Sequence, residues 1–348
     1  MDGNKKIRPF DEFVSNSLLH SRTAFFMSDK NYAMIVLQRI QHFNFLTHES
    51  KLTINHLVIF DFTIMTTTNP SISTSLSTST SISSMFDLTD RTALITGGGT
   101  GIGAAMALGL AQHGAKVVLV GRRPQPLQDT AAHINSKLHA PASDPVAFAV
   151  PGDVLQYETL DTIVSKAKEL TGKAPTIVVN NAGVNVRKPA AELTPEHWKI
   201  SLDLMLTAPF FLARACSAGF KEEKYGRVIS TASLQTYQIF PDSIPYASAK
   251  AGLLGMTRGM AEHFSSKHGF DNVTCNNIGP GYVKTELTAK VFEDEERAQR
   301  LADATILGRN SVPEDLIGTT VYLASRGSSY VTGQTIMVDG GFTSLGMR

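Results

Sequence analysis

Short apolar runs alternate with segments of helical periodicity from Phe86 to the end of the chain, and this alternation constrains the fold more than any other feature. Buried strands are predicted at residues 92–96, 116–120, 146–150, 176–179, 227–231, 272–276 and 334–338. Helices are predicted at residues 104–113, 126–138, 159–170, 195–220, 246–263 and 313–325. Because strand, helix and strand at this spacing form right-handed βαβ units, we predict an α/β fold with a doubly wound parallel sheet. Its ligand crevice should lie at the carboxyl ends of the strands.

Residues 1–84 differ from the rest of the chain. Residues 66–84 form a Ser/Thr-rich tract that cannot bury enough apolar surface to offset its ordering entropy. Asp2, Asp11 and Glu12 argue against a transit peptide. We predict an N-terminal extension, residues 1–84, that is disordered or dispensable, and one catalytic domain, residues 85–348. A start of translation at Met65 or Met85 is the alternative.

The overall composition excludes several classes of protein. A net charge of +1 with 18 % charged residues argues against a nucleic-acid-binding surface. No stretch approaches the ~20 apolar residues of a membrane span. Cys216 and Cys275 match no zinc or disulfide spacing, so we interpret them as reduced core thiols and expect no metal site. We therefore expect a cytoplasmic protein that acts on a small molecule, with no nucleic-acid or membrane partner.

A glycine-rich segment follows the first predicted strand and opens a helix. It reads Gly97-Gly98-Gly99-Thr100-Gly101-Ile102-Gly103. Gly97 allows a tight turn, Gly101 lets the backbone approach a pyrophosphate, and Gly103 lets the helix pack close to the strand. The spacing is looser than the common GxGxxG pattern, so a merely permissive turn is the alternative. We predict a dinucleotide site.

The end of the second predicted strand indicates which dinucleotide would bind. An acidic residue there would accept a hydrogen bond from a ribose hydroxyl and repel a 2′-phosphate. This chain has Gly121-Arg122-Arg123 instead. Two guanidinium groups suit a phosphate, so we predict NADP(H) as the preferred cofactor, with NAD(H) also possible. The alternative is that Arg122 and Arg123 only cover the surface.

Tyr246 and Lys250 are four residues apart on a predicted helix and therefore lie on one face of it. With an assumed separation of ~4 Å and an effective dielectric of ~20, Coulomb's law gives roughly 4 kcal/mol, or about three pKa units. The pKa of the tyrosine should then fall from ~10 towards ~7, where the phenol can exchange a proton. Ser233 follows a predicted strand and should lie at the same crevice.

Seven features of the sequence occur together and in a fixed order. They are Thr96-Gly97-x3-Gly101-x-Gly103, Asp153-Val154, Asn180-Asn181-Ala182-Gly183, Ser233, Tyr246-x3-Lys250, Pro280-Gly281-x-x-x-Thr285 and Asp339-Gly340-Gly341. Over about residues 86–348 the chain therefore resembles the short-chain dehydrogenase/reductase family, whose members have a Rossmann fold.

The resemblance implies roles for these residues. Tyr246 would be the general acid in ketone reduction and the base in the reverse reaction, Lys250 would lower its pKa and hold the nicotinamide ribose, and Ser233 would orient the substrate oxygen. Further cofactor contacts are implied for Thr100 and Ile102, for Asp153 and Val154 beside the adenine, for Asn181, Ala182 and Gly183 along the cleft, and for Pro280, Gly281, Val283 and Thr285 near the nicotinamide. The resemblance also implies a homotetramer or a homodimer.

One residue departs from the family pattern, and two others indicate a substrate. Met205 occupies the place of the usual asparagine, and a thioether cannot replace an amide that steadies a water in the proton relay. Within the family, the C-terminal half resembles reductases of keto-sugar acids. The residues that carry this resemblance are Ser233-Leu234-Gln235, Pro280-Gly281-Tyr282-x-Lys284-Thr285-Glu286, Glu293-Asp294-Glu295 and Arg309-x3-Pro313-Glu314-Asp315-Leu316. Arg187 is a candidate for binding a substrate carboxylate, and Gln235 for binding a sugar hydroxyl. A solvated loop position is the alternative for Arg187.

These observations favour an NADP(H)-dependent oxidoreductase that interconverts a ketone and a secondary alcohol, with a sugar acid or a polyol as the substrate. One alternative is a reductase of an oxoacyl or secondary-metabolite ketone, because the fold does not determine the substrate. A second alternative, suggested by Met205, is an NADP-binding protein with little turnover.

Overall fold

The structure is a computed structural model that describes residues 23–28, 31–36 and 81–345. The chain divides into two units, Met1–Thr78 and Ser79–Arg348. In the first unit, strands Thr23–Ser28 and Asn31–Val36 pair antiparallel. Apart from these strands and the helical turn Ile82–Met85, the predicted extension lies outside the described residues, so its disorder or dispensability stays a prediction.

Seven parallel strands form the sheet of the second unit. They are β1 (Thr92–Thr96), β2 (Lys116–Gly121), β3 (Ala147–Pro151), β4 (Ile177–Asn180), β5 (Gly226–Thr231), β6 (Val273–Pro280) and β7 (Thr335–Val338). Their order across the sheet is β3-β2-β1-β4-β5-β6-β7. This confirms the doubly wound sheet. The strand order reverses between β1 and β4, so a crevice opens at the carboxyl ends of these two strands.

The side chains of the sheet enter two hydrophobic cores. In β1, Ala93 and Ile95 belong to one core, whereas Leu94 belongs to the other, as the two-residue period of a strand requires. All five residues of β1 are buried, because a parallel strand with helices on both faces has no solvent side. The strands therefore appear in the sequence as continuous apolar runs. Cys216 and Cys275 are buried free thiols in the second core, as predicted.

Helices cover the sheet and connect its strands. They are α1 (Gly101–Gln112), α2 (Pro124–Lys137), α3 (Leu160–Thr171), α4 (Pro195–Leu202), α5 (Ala208–Ala215), α6 (Ser217–Glu222), α7 (Ile244–His263), α8 (Ala289–Phe292), α9 (Glu295–Asp303) and α10 (Ile317–Ala324). Because α1 and α7 each follow the carboxyl end of a strand, their N-terminal ends lie at the same edge of the sheet as the crevice. In the described part of the chain, no helix has the length and apolarity needed to cross a membrane.

The long helix predicted at residues 195–220 is divided in the structure. A π-helical segment, Asp203–Thr207, separates α4 from α5, and α6 begins after Cys216. Pro209 explains the first interruption, since it has no amide hydrogen to donate to the carbonyl of Met205 and its ring crowds that carbonyl. A locally wider turn relieves the crowding, and such turns are frequent at functional sites.

Candidate active site

The glycine turn brings the start of α1 against the end of β1. Gly97 has a φ of +64°, in the left-handed region that glycine adopts without strain. A Cβ at Gly103 would lie 2.3 Å from the carbonyl oxygen of Gly97 and 2.6 Å from Nδ2 of Asn181. Gly101 and Ile102, the first residues of α1, line a cavity. The unpaired amide groups at the start of α1 therefore lie at the wall of that cavity, in an arrangement suited to an anion.

The turn after β4 is tied to the end of β1 by hydrogen bonds. The backbone amides of Asn181 and Ala182 both donate to Oγ1 of Thr96, each at 3.0 Å. Nδ2 of Asn181 donates to the carbonyls of Thr96, at 3.2 Å, and of Gly97, at 3.3 Å. These bonds fix the two strand ends that border the crevice, and they place Asn181, Ala182 and Gly183 along its side.

The end of β2 carries the two predicted phosphate ligands, and they have different surroundings. Arg122 and Arg123 are both exposed and both line the cavity. Nη2 of Arg123 lies 3.3 Å from Oε2 of Glu286, which also lines the cavity. Arg122 forms no ion pair within the described residues. One guanidinium group is thus available to a ligand, whereas the other is already engaged by a carboxylate.

Ser233, Tyr246 and Lys250 meet at the cavity. Ser233 follows β5, and its Oγ accepts a hydrogen bond from the backbone amide of Gln235 at 3.2 Å. Tyr246 and Lys250 lie one turn apart at the start of α7. The ammonium of Lys250 donates to the backbone carbonyl of Thr231 and lies 5.6 Å from the ring centre of Tyr246.

The pKa values of Tyr246 and Lys250 differ from those that the sequence predicts. Burial lowers the pKa of Lys250 to about 8. Burial also raises the pKa of Tyr246, opposed by a hydrogen bond from Ser233 and by the charge of Arg187. The prediction that Lys250 brings the pKa of Tyr246 towards 7 is therefore wrong. The reason is that the ammonium is itself desolvated, is committed to the carbonyl of Thr231, and stands beside the ring rather than at the hydroxyl.

The two predicted substrate ligands lie outside the cavity lining. Arg187 is exposed and hydrogen-bonds to Tyr282. Burial raises the pKa of Tyr282, and the charge of Arg187 opposes this rise without cancelling it. Gln235 is 6 % exposed, and its Nε2 donates to Ser243 at 3.1 Å. Arg187 is thus close enough to influence Tyr246, whereas the side chain of Gln235 faces the protein interior. The structure does not bring Gln235 to the place where a substrate hydroxyl would bind.

The cavity has a volume of about 530 Å³, within the range of ~300–1,000 Å³ typical of ligand sites. The predicted residues that line it are Gly97, Thr100, Gly101, Ile102, Arg122, Arg123, Asp153, Val154, Asn181, Ala182, Gly183, Ser233, Tyr246, Lys250, Pro280, Gly281, Val283 and Thr285. Gly103 stands behind the lining and acts through the packing of α1.

Sequence reasoning missed several residues that line the same cavity. Leu127, Leu204, Glu286 and Leu287 are among them. Glu286 directly follows Thr285 in sequence, and the charge of its side chain next to a predicted nucleotide contact was the available signal. Met205 is buried, and its sulfur lies 3.5 Å from the position that a Cβ of Gly183 would occupy. Its side chain therefore packs beneath the cavity wall.

A doubly wound sheet with a glycine turn before its first helix, and with serine, tyrosine and lysine side chains at the same cavity, defines a nucleotide-dependent oxidoreductase. Residues 97–343 match the family model described as enoyl-(acyl carrier protein) reductase. The chain belongs to the short-chain dehydrogenase/reductase family, and it is an oxidoreductase that acts on CH–OH groups.

Proteins similar to this chain include a gluconate dehydrogenase and a keto-gluconate reductase. The chain is 33 % identical to gluconate 5-dehydrogenase of Gluconobacter oxydans (strain 621H) over 259 residues, which cover 74 % of this chain and 97 % of the relative. It is 33 % identical to 5-keto-D-gluconate 5-reductase of Escherichia coli (strain K12), with 74 % and 97 % covered. The crystal structure of a gluconate 5-dehydrogenase from Burkholderia cenocepacia J2315, in complex with NADP and tartrate, is 30 % identical and superposes with a TM-score of 0.69 over 75 % of this chain and 99 % of that one.

Proposed function

We propose that this protein is an NADP(H)-dependent oxidoreductase that interconverts a ketone and a secondary alcohol on a sugar acid or a related polyol. The observation that carries the proposal is that Ser233, Tyr246 and Lys250 line one cavity together with the glycine turn before α1. The gluconate and keto-gluconate activities of similar proteins support the choice of substrate class.

The cavity fits a dinucleotide. The amide groups at the start of α1 would hold the pyrophosphate, where Gly97 and Gly103 leave room for the backbone to come close. Arg122 would bind the 2′-phosphate of NADP(H), since its guanidinium has no carboxylate partner within the described residues. Asp153 and Val154 would flank the adenine. NAD(H) lacks the 2′-phosphate and is expected to bind more weakly.

The proposed chemistry assigns one task to each catalytic residue. In reduction, Tyr246 donates its phenolic proton to the carbonyl oxygen, while Ser233 donates a hydrogen bond to the same oxygen. When bound, NADPH supplies the hydride that reaches the carbonyl carbon. In the reverse reaction the tyrosinate accepts the proton of the alcohol. Lys250 holds the ribose next to Tyr246, and with a pKa of about 8 it can exchange a proton near neutral pH.

The raised pKa of Tyr246 gives the two directions different pH profiles. Because burial raises this pKa, the neutral phenol is the resting form, and it is the form that reduction requires. Oxidation of the alcohol requires the tyrosinate, so its rate should rise with pH throughout the range from 7 to about 10. Initial rates in both directions over this range provide the measurement. An oxidation rate that is flat over the whole range would contradict the assignment of Tyr246 as the base.

Arg187 is proposed to select substrates that carry a carboxylate. It is exposed, it hydrogen-bonds to Tyr282, and its charge reaches Tyr246. We expect Arg187→Met to raise the KM for keto-gluconates about 10-fold or more, because a charge-assisted bond is lost. The KM for neutral ketoses should change little. Equal effects on acidic and neutral substrates would argue that Arg187 is only a solvated loop residue.

An oxoacyl reductase is the second candidate. The chain is 30 % identical over 257 residues to a 3-oxoacyl-[acyl-carrier-protein] reductase of Rickettsia prowazekii (strain Madrid E), with 74 % of this chain and 98 % of the relative covered. In addition, Leu287 lines the cavity while being 64 % exposed, which offers an apolar surface at the opening. Acetoacetyl esters turned over faster than keto-gluconates would favour this candidate.

A panel of substrates tests the proposal directly. The purified protein is assayed with NADPH or NADH against keto-gluconates, ketoses and acetoacetyl esters. We expect NADPH oxidation with a keto-gluconate, and a fall in kcat of at least about 100-fold in Tyr246→Phe. The matched control is Tyr330→Phe, at a fully exposed tyrosine outside the cavity. No oxidation with any ketone, and no gain from Met205→Asn, would favour a binding protein with little turnover. Equal turnover with NADH, unaffected by Arg122→Asp, would refute the cofactor preference.

The assembly, the location and the extension are also proposals. We infer a homotetramer or a homodimer that is built through α4 and α5, through α7 and through β7. Trp198 on α4 and Phe210 on α5 are exposed apolar side chains. We also infer a cytoplasmic location. Light scattering on the purified protein and cell fractionation test these two inferences. If residues 1–84 are dispensable and residues 85–348 form the catalytic domain, a chain that begins at Met85 should keep full activity.

A further inference from the structure

A series of three side chains, two of them buried, joins the segments that carry the catalytic residues. Nε2 of Gln235 donates to Oγ of Ser243 at 3.1 Å, and Oγ of Ser243 donates to Oδ1 of Asn185 at 3.0 Å. Ser243 is fully buried and Gln235 is 6 % exposed. The series connects the loop of Ser233, the N-terminal end of the helix that carries Tyr246, and the loop after β4.

Ser243 and Gln235 each lack a hydrogen bond that their positions would normally provide. Ser243 is the N-cap residue of α7, a position where serine usually accepts a hydrogen bond from the helix backbone. Its hydroxyl makes no such bond and reaches Gln235 and Asn185 instead. Oε1 of Gln235 is buried and has no hydrogen-bond partner among the described residues. Buried polar atoms without a partner are uncommon in stable folds. The hydroxyl of Ser243 therefore links two loops at the site and does not cap its own helix.

We propose that Ser243, Gln235 and Asn185 are positioning residues that together form a clamp fixing Ser233 relative to Tyr246. The backbone amide of Gln235 donates to Oγ of Ser233 at 3.2 Å. This bond occupies a lone pair of the hydroxyl, so the proton of Ser233 stays directed at the hydroxyl of Tyr246 and at a substrate oxygen that binds beside it. Anchoring the side chain of Gln235 through Ser243 keeps that backbone amide in place. The inference rests on the proposed function, because Ser233 and Tyr246 must act on the same substrate oxygen.

The experiment compares two buried serines. Ser243→Ala breaks the clamp, and Ser328→Ala is the matched control, because Ser328 is also fully buried and its hydroxyl bonds to the carbonyl of Leu323 at 3.1 Å, outside the cavity. We expect kcat for ketone reduction to fall about 10-fold or more in Ser243→Ala, since small misplacements of reacting groups carry costs of this order. NADPH affinity should stay within about twofold of wild type, as should kcat of the control.

The pH profile provides a readout that a merely structural role would not move. Burial raises the pKa of Tyr246, and so does the neighbouring Tyr282. The hydrogen bond from Ser233 and the charge of Arg187 lower this pKa, and the ammonium of Lys250 lies 5.6 Å from the ring centre. When Ser233 is no longer fixed, the pKa of Tyr246 should rise, so the limb of the alcohol-oxidation profile should move to higher pH in Ser243→Ala and stay in place in Ser328→Ala.

The outcomes separate the clamp from the proposed function. If the wild-type enzyme is active but Ser243→Ala and Ser328→Ala have the same kcat and the same pH profile, the clamp alone is overturned. A wild-type protein that turns over no carbonyl substrate overturns the proposed function and the clamp with it. If Ser243→Ala does not fold, Gln235→Met replaces it, because this variant breaks the side-chain link while it keeps the backbone amide that reaches Ser233. A normal kcat and pH profile in Gln235→Met would overturn the clamp equally.

Discussion

Replacing Lys250 with methionine is expected to abolish turnover and to change how stability depends on pH. Lys250 is 5 % exposed, and burial lowers its pKa from 10.5 to about 8. Between these values the unfolded chain binds more protons than the folded one, so stability rises as pH rises from about 8 to 10.5. Below pH 8 the fold carries a desolvated ammonium, and the shift of roughly 2.5 pKa units corresponds to about 3 kcal/mol.

Lys250→Met removes this cost and introduces another that does not depend on pH. The carbonyl of Thr231 loses the donor that Lys250 supplies, and a buried acceptor without a partner costs about 1–3 kcal/mol at every pH. The two effects partly cancel at pH 7. At pH 10 most of the charge effect is gone in the wild type, and less than about 1 kcal/mol remains. The stability of the variant relative to wild type should therefore be about 2–3 kcal/mol more favourable at pH 7 than at pH 10.

Urea unfolding of both proteins at the two pH values measures this difference. Lys290→Met is the matched control, because Lys290 is exposed on α8, and its substitution should change stability by less than about 0.5 kcal/mol at either pH. NADPH oxidation by Lys250→Met should be undetectable. The reasoning is refuted if the free energy of unfolding of Lys250→Met differs from that of wild type by the same amount at pH 7 and pH 10. The charged form of Lys250 would then not destabilise the folded protein.

Two further substitutions test the cofactor cavity. Gly103→Ala places a Cβ 2.3 Å from the carbonyl oxygen of Gly97. We therefore expect a loss of about 1–3 kcal/mol of stability, measured by thermal melting, and weaker NADPH binding, measured by fluorescence titration. Gly255→Ala is the control, because no atom lies within 4 Å of the new Cβ. Glu286→Gln frees Arg123 and removes a charge that would repel a 2′-phosphate, so the Kd of NADPH should fall about two- to fivefold while that of NADH stays unchanged. An equal effect on both nucleotides would contradict this explanation.

The sequence predicted the doubly wound parallel sheet and most of the cavity because both follow from local patterns. Each buried strand is an apolar run of five or so residues, and the residue after it is placed at the crevice by the geometry of a parallel sheet. Thus Gly97, Asp153, Asn181 and Ser233 could be assigned to one edge of the sheet without any knowledge of side-chain packing.

The contacts that the sequence did not predict join residues from different elements. Arg123 and Glu286 are 163 positions apart and form an ion pair at the cavity, and no periodicity relates them. The burial of Gln235 depends on Ser243, whose hydroxyl turns away from its own helix. The pKa of Tyr246 was predicted from one assumed distance, but desolvation, which follows from the packing around the site, outweighs that single pair.

Several groups at the site oppose folding, whereas the two cores favour it. The cores are continuous apolar clusters on either side of the sheet. At the edge where the strands end, the fold instead holds a desolvated ammonium at Lys250, an acceptor without a partner in Gln235 and an N-cap serine that does not cap its helix. None of these is the arrangement that folding alone would favour. Substitutions at this edge should therefore separate stability from activity, whereas substitutions in the cores should lower both together.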